Sequence, residues 1–119
     1  MIEKSGGIDI MILGIGSNGH IGFNEPGTSF DSLTHITKLS ESTRIDNSRL
    51  FENINDVPRE AITMGIKSIM RSKKIILLVV GKNKRAILEK LKSGMIDESI
   101  PASILNKHNN VDVYIDKSI

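Results

Sequence analysis

His20 follows the turn Gly14-Ile15-Gly16-Ser17-Asn18-Gly19, and Glu25 lies five residues beyond it. An imidazole titrates near neutral pH and can move a proton in either direction. A carboxylate close by can orient the ring and fix which nitrogen carries the proton. Asn18 adds an amide that can hydrogen-bond to either partner but cannot itself take a proton. Together the three describe an acid–base site for a small molecule. The competing reading is a hydrogen-bonded structural histidine beside a tight turn, which accounts for the glycines but not for the pairing of His20 with Glu25.

The elements around these residues must place them at the end of a strand. Ile8-Asp9-Ile10-Met11-Ile12-Leu13-Gly14 is an apolar run ending in glycine, of the kind buried on both faces of a parallel sheet. Residues 14 to 32 are rich in Gly, Asn, Pro and Ser and read as a loop. Thr34 to Ser40 alternates polar and apolar residues, as a half-exposed strand does. Asp56 is placed to cap a helix that Val57-Pro58 enters, with Ala61, Ile62, Ile66, Ile69 and Met70 at helical spacing. Lys74-Ile75-Ile76-Leu77-Leu78-Val79-Val80-Gly81 is the clearest strand. Asn83 can cap a helix after it, striped by Ala86, Ile87, Leu88 and Leu91 and stopped at Gly94. Ser99 to Lys107 reads as a short helix with Pro101 near its start, and Val111 to Asp116 as a last strand. Strands alternating with helices predict an α/β class with a mostly parallel sheet. Loops at the carboxyl ends of such strands are where open sheets bind ligands.

Gly14-x-Gly16-x-x-Gly19 after a strand has the form of a dinucleotide fingerprint. That motif needs a helix starting on the loop and an acidic residue about 20 positions on. Gly22, Asn24, Pro26 and Gly27 interrupt any such helix, and Asp31 sits in a Ser/Gly context rather than at a strand end.

Composition narrows the classes further. At 119 residues, with 39% hydrophobic and 25% charged content, the chain suits one compact domain. No apolar run approaches the roughly 20 residues a membrane span needs, and Met1 to Gly7 lacks the pattern of a secretory signal. The absence of cysteine removes disulfides, thiolate metal sites and thiol nucleophiles. A cytoplasmic location is the expectation. Net charge is +2, and the aromatics are Phe23, Phe30, Phe51 and Tyr114, a poor set for stacking bases. Nucleic acid and membrane are therefore not expected partners, whereas an anionic metabolite needs only a few cations.

The stretch from Gly14 through Phe23-Asn24-Glu25-Pro26-Gly27 closely resembles the signature of the glucosamine-6-phosphate deaminases. The likeness continues through Ser42-Thr43-Arg44-Ile45-Asp46-Asn47-Ser48-Arg49, Val57-Pro58, Ala61-Ile62-Thr63-Met64-Gly65, Gly81-x-x-Lys84, and Ser103-x-Leu105 with His108. The resemblance implies a partial Rossmann-like sheet with flanking helices and a reaction turning glucosamine 6-phosphate and water into fructose 6-phosphate and ammonia. By the same likeness His20 opens the pyranose ring, Glu25 holds and polarises it, and Asn18 stands where many members carry aspartate. Arg49 and Lys84 match the phosphate-binding cations. Arg can grip phosphate through two parallel hydrogen bonds and Lys acts as a point charge. Arg44 and His108 fall in framework positions. His35 and Thr37 occupy positions where allosterically regulated members are basic, so activation by N-acetylglucosamine 6-phosphate is not expected. No metal or organic cofactor is implied.

The resemblance covers residues 1–119 as the C-terminal part of a longer domain, with Met1 in the place of an internal methionine. The half it leaves out carries the first strands, a Gly/Ser phosphate loop and the aspartate that takes the C2 proton; no acidic residue here is assigned to that step. A half-sheet would expose an apolar edge open to pairing, with another copy or with the missing N-terminal half. The expectation is low stability and no turnover by the chain alone. Two alternatives remain: a sugar-phosphate lactonase-like hydrolase, which the Phe23-Asn24-Glu25-Pro26 continuation disfavours, and a non-catalytic sugar-phosphate binding or assembly module.

Overall fold

The computed structural model describes all 119 residues. Three parallel strands form the central sheet: β1 (Ile10–Gly14), β4 (Lys74–Val79) and β5 (Val111–Ile115), in the order β1-β4-β5. A separate antiparallel pair joins β2 (His35–Lys38) to β3 (Glu60–Thr63), with His35 opposite Thr63. The helices are α1 (Glu41–Asn47), α2 (Ile66–Met70) and α3 (Arg85–Lys92), and a 3-10 segment runs over Pro101–Lys107. The α/β class with a mostly parallel sheet is thus the observed one.

Strand register sorts the sheet into two unlike faces. Met11 lies beside Ile75 and Leu13 beside Leu77, while Leu77 also pairs with Val113. Because side chains alternate across a strand, these residues share a face. On it Leu13, Ile75, Leu77 and Val79 join Ile66 and Ile69 of α2, Ile87 and Leu88 of α3, and Ala102, Ile104 and Leu105 in one core cluster. The opposite face has no such cover: Ile10 is 57%, Ile12 64%, Leu78 41% and Val80 65% exposed. The apolar runs of β1 and β4 therefore carry the pattern of doubly covered strands, yet only one layer of helices packs on them here.

Two further expectations are corrected. The segment after Val57-Pro58 is not one long helix. Glu60–Thr63 pairs as a strand with His35–Lys38, and only Ile66–Met70 coils. Ala61 and Ile62 fit either period, and the available hairpin partner decides between them. Asn83 does not cap α3; it sits inside a 3-10 turn, Lys82–Lys84, and the helix begins at Arg85 without a side-chain cap. Helix α1, which the sequence reading did not assign, starts on Ser40, whose hydroxyl accepts the Thr43 N–H.

The framework positions are occupied as expected. The Arg44 guanidinium donates to the carbonyls of Ile54 and Val57, and the His108 ring pairs with the Ser72 carbonyl.

Candidate active site

The turn after β1 is held from three sides. Gly16 N–H donates to the His20 carbonyl at 3.0 Å and Gly19 N–H to the Gly16 carbonyl at 2.9 Å. Ala102 N–H reaches the Gly19 carbonyl, which ties the turn to the 3-10 segment. Phe23 N–H donates to Thr63 Oγ1, and Asn24 Nδ2 to the carbonyls of Ile21 and Met64, which tie it to the end of β3. Asn24 is fully buried, so its side chain works as an internal bracket.

His20 is buried and its orientation is fixed by the backbone. Its Nδ1 lies 2.8 Å from the Gly22 carbonyl. A carbonyl only accepts, so Nδ1 carries the proton and the neutral ring leaves Nε2 as its basic nitrogen. Gly16 packs directly against the ring: a Cβ there would fall on Cδ2 and Nε2. Phe23 stacks on the ring with centroids 6.4 Å apart.

Glu25 reaches His20 through Asn18 rather than by direct contact. Asn18 Nδ2 donates to Glu25 Oε2 at 3.0 Å and to Ser40 Oγ at 3.1 Å, while Asn18 Oδ1 accepts the His20 N–H at 3.1 Å. The holder of the imidazole is the Gly22 carbonyl, a contact that backbone geometry sets and spacing does not show. An amide suits the bridging position, because its two N–H donors meet two oxygens where a carboxylate would repel Glu25. Glu25 Oε1 is buried with no hydrogen-bond partner.

One cavity of about 310 Å³ is lined by His20, Arg49 and Lys84 together with Gly14, Gly16 and Asp46. Arg49 comes from the 3-10 turn that follows α1 and Lys84 from the turn that follows β4. Lys84 Nζ donates to the Ile15 carbonyl at 2.5 Å, which draws the ammonium over the end of β1. No salt bridge engages either cation. The Gly81 N–H that opens the Lys84 turn points to Asp116. The N–H and hydroxyl of Ser118, with a smaller part from Gly81, hold that carboxyl below the ordinary carboxylate range.

Asp46 lines the same cavity and was not singled out from the sequence. Its Oδ2 accepts from the Ser17 N–H at 3.3 Å and the Ser17 hydroxyl at 3.0 Å, which clamps the tip of the glycine turn onto α1. It lies inside the Ser42 to Arg49 stretch that carries the resemblance, where no role was assigned to it; the folding of α1 against the turn brings it to the cavity. No group of three metal-ligating side chains gathers anywhere in the chain.

If the two cations bind an anion, losing either one removes a charge-assisted contact of about 1.5–3 kcal/mol. Arg49→Ala and Lys84→Ala are each expected to weaken binding of a phosphate-bearing ligand, with inorganic phosphate as the probe, roughly ten- to a hundredfold. Isothermal titration checks this, and unchanged affinity in both variants would remove the cations from the site.

Geometry of this kind defines a class: an open α/β sheet with a buried imidazole and two cations lining one cavity over the carboxyl ends of β1 and β4. The chain belongs to the glucosamine-6-phosphate isomerase/6-phosphogluconolactonase family, whose model matches residues 2–114. It is 59% identical over 117 residues to a glucosamine-6-phosphate deaminase of Oceanobacillus iheyensis, covering 98% of this chain and 47% of the relative. A Staphylococcus epidermidis glucosamine-6-phosphate deaminase is 54% identical, with 98% and 48% covered. The solved structure of a monomeric glucosamine-6-phosphate deaminase superposes with a TM-score of 0.95 at 52% identity, covering 98% of this chain and 48% of that one. A 6-phosphogluconolactonase from Trypanosoma brucei, at 20% identity and a TM-score of 0.68, shares the fold. The chain spans about half the length of the relatives it matches. No helix is long and apolar enough to cross a membrane.

Proposed function

We propose that this chain supplies the ring-opening and phosphate-anchoring part of a glucosamine-6-phosphate deaminase site, as the C-terminal part of that enzyme's domain. The observation that carries the reading is the single cavity shared by His20, Arg49 and Lys84, in a chain whose relatives at more than half identity are named for that activity.

In the proposed step, Arg49 and Lys84 hold the 6-phosphate. Nε2 of His20 takes the proton of the anomeric hydroxyl as the C1–O5 bond breaks, and the same proton passes to O5. The product is the open-chain amino aldose, with no net proton gained or lost. Nδ1–H stays on the Gly22 carbonyl throughout, so the ring does not turn between the two transfers. Glu25 supports the turn through Asn18, whose Oδ1 accepts the backbone N–H of His20. Isomerisation next requires a base at C2. Asp46 sits with the phosphate anchors and its Oδ2 is taken by Ser17, so the reading assigns that base to the half of the relatives that this chain does not span.

The two halves of the chemistry separate experimentally. Purified chain is expected to speed interconversion of the α and β anomers of glucosamine 6-phosphate, followed by NMR exchange, while releasing no ammonia. Absence of any acceleration would count against the ring-opening role. Ammonia release at rates near those of full-length relatives would show that the C2 base lies in this chain after all.

A further inference from the structure

We infer that Asp46 is a positioning residue that works as a built-in anion. Its carboxylate holds the donors at the tip of the glycine turn and keeps a ligand phosphate on Arg49 and Lys84. The space beside His20 is thereby left to the uncharged end of the sugar. The sugar part of this inference rests on the reading above; the phosphate part rests on the cavity alone.

A carboxylate in this place is unexpected. The cavity of about 310 Å³ has Arg49 and Lys84 as its cations, and Asp46 is the one carboxylate among its lining residues. A negative charge there repels any anion that the cations attract. Asp46 forms a salt bridge with neither cation, so neutralising one of them is not its role. It also lies in the last turn of α1, where the helix presents its own carbonyl ends and a carboxylate is disfavoured. Neither helix preference nor anion affinity accounts for it.

Its hydrogen bonds do. Asp46 Oδ2 accepts both the N–H and the hydroxyl of Ser17, at 3.3 and 3.0 Å. With the Ser17 hydroxyl proton given to Asp46, the Ser42 hydroxyl 3.2 Å away is the donor to Ser17 Oγ. Glycine-rich turns bind phosphate through free backbone N–H groups of this kind. Here a group of the chain itself fills that donor. Both bonds fall on Oδ2, and Oδ1 stays open to solvent, so the charge still acts on the cavity.

The position of Ser17 shows what the clamp protects. Ser17 stands between Gly16, against which the His20 ring packs, and Asn18, whose Oδ1 accepts the His20 N–H. A phosphate drawn onto Ser17 would arrive beside the imidazole, where the proposed step needs C1 and O5. Asp46 opposes that mode twice, by occupying the donors and by repelling the anion. It also fixes the span from anchor to imidazole, because Arg49 follows α1 in the next turn and Asp46 ties α1 to the turn that carries His20. A carboxylate that only braced the fold would, on removal, leave phosphate affinity unchanged or lower it. One that excludes an anion raises it.

The test compares the wild-type chain with Asp46→Ala and Asp46→Asn. Isothermal titration measures binding of inorganic phosphate, and amide NMR follows Ser17 as phosphate is added. NMR exchange gives the rate of anomer interconversion of glucosamine 6-phosphate. In Asp46→Ala, phosphate is expected to bind about three- to tenfold tighter and to shift the Ser17 amide, while anomer interconversion slows about tenfold. Asp46→Asn keeps an acceptor for Ser17 and loses only the charge. Phosphate is expected to tighten about two- to threefold there, with the Ser17 amide unmoved and a smaller loss of interconversion than in Asp46→Ala. Both gains in affinity are expected to fade with added salt. Unchanged or weaker phosphate binding by folded Asp46→Ala overturns the inference, as does a phosphate-induced Ser17 shift in the wild-type chain or phosphate binding by none of the three proteins. Should Asp46→Ala melt below the assay temperature, Asp46→Asn decides, and phosphate binding no tighter than wild type overturns the inference. Equal losses of interconversion in the two variants overturn the positioning role. Tighter phosphate binding and a Ser17 shift in Asp46→Ala, with no anomer acceleration by the wild-type chain, uphold the built-in anion and overturn the ring-opening reading instead.

Discussion

His20→Gln is expected to leave the chain folded and able to bind fructose 6-phosphate, and to cost about 10²- to 10⁴-fold in anomer interconversion, the range of a general acid–base group. The glutamine amide can keep a donor near the Gly22 carbonyl, so the turn retains its main polar contact, but an amide does not accept a proton. The tautomer argument makes the effect specific. With Nδ1 committed to Gly22 at 2.8 Å, Nε2 is the one nitrogen free to cycle a proton, and Gly16 leaves room for it only because it has no Cβ. NMR exchange rates and isothermal titration on the same preparation separate the two effects. Retained exchange in His20→Gln would move the ring-opening base elsewhere, and loss of binding alongside exchange would mark His20 as a contact for the ground state.

The largest expected loss of stability comes from a residue outside the site. Gly65→Ala is expected to lower Tm on the order of 10 °C or to prevent folding. Gly65 has ordinary extended backbone angles, so its smallness rather than its flexibility is required. A Cβ at this position would overlap the carbonyl group of Ser32. Ser32 cannot retreat cheaply, because its carbonyl accepts the Lys67 N–H and its hydroxyl the Ile66 N–H, both at 3.0 Å. Relief would push α2 outward and uncover Ile66 and Ile69, which are 0% and 1% exposed. Overpacking of this kind costs about 3 kcal/mol at the upper end of its usual range, and 1 kcal/mol is worth roughly 4 °C in a domain of this size. Calorimetry decides, with Gly14→Ala as the control: its Cβ meets nothing within 4 Å. Equal Tm values for the two variants would show that the Ser32 segment yields freely.

Local pattern carried much of the fold. The two glycine-terminated apolar runs became β1 and β4, the stripe from Ala86 to Leu91 became α3, and Pro101 opened the 3-10 segment. Where local preference was balanced, it failed. Ala61 and Ile62 satisfy helical and strand periods alike, and pairing with Ile36 and Thr37 settled them as strand. Helix α1 went unassigned because Glu41 to Asn47 has no apolar stripe; its stability comes from the Ser40 cap and from Asp46 and Ser42 gripping Ser17.

For the site, residue types and spacing singled out Asn18, His20 and Glu25 as candidates, whereas Arg49, Lys84 and a sugar-phosphate ligand were expected only from the resemblance of the surrounding motifs. Those are properties of chemical groups and of short-range order, which the chain encodes directly. Three matters needed the tertiary structure. One is the contact that sets the His20 tautomer, a backbone carbonyl that every residue possesses and no motif can flag. Another is the arrival of Asp46 beside Arg49 and Lys84, which depends on how α1 meets a turn 29 residues away. The last is the bareness of one sheet face. An apolar run records that a strand is built to be covered on both sides, but whether a cover is present depends on what else is packed there, and that is decided only in three dimensions.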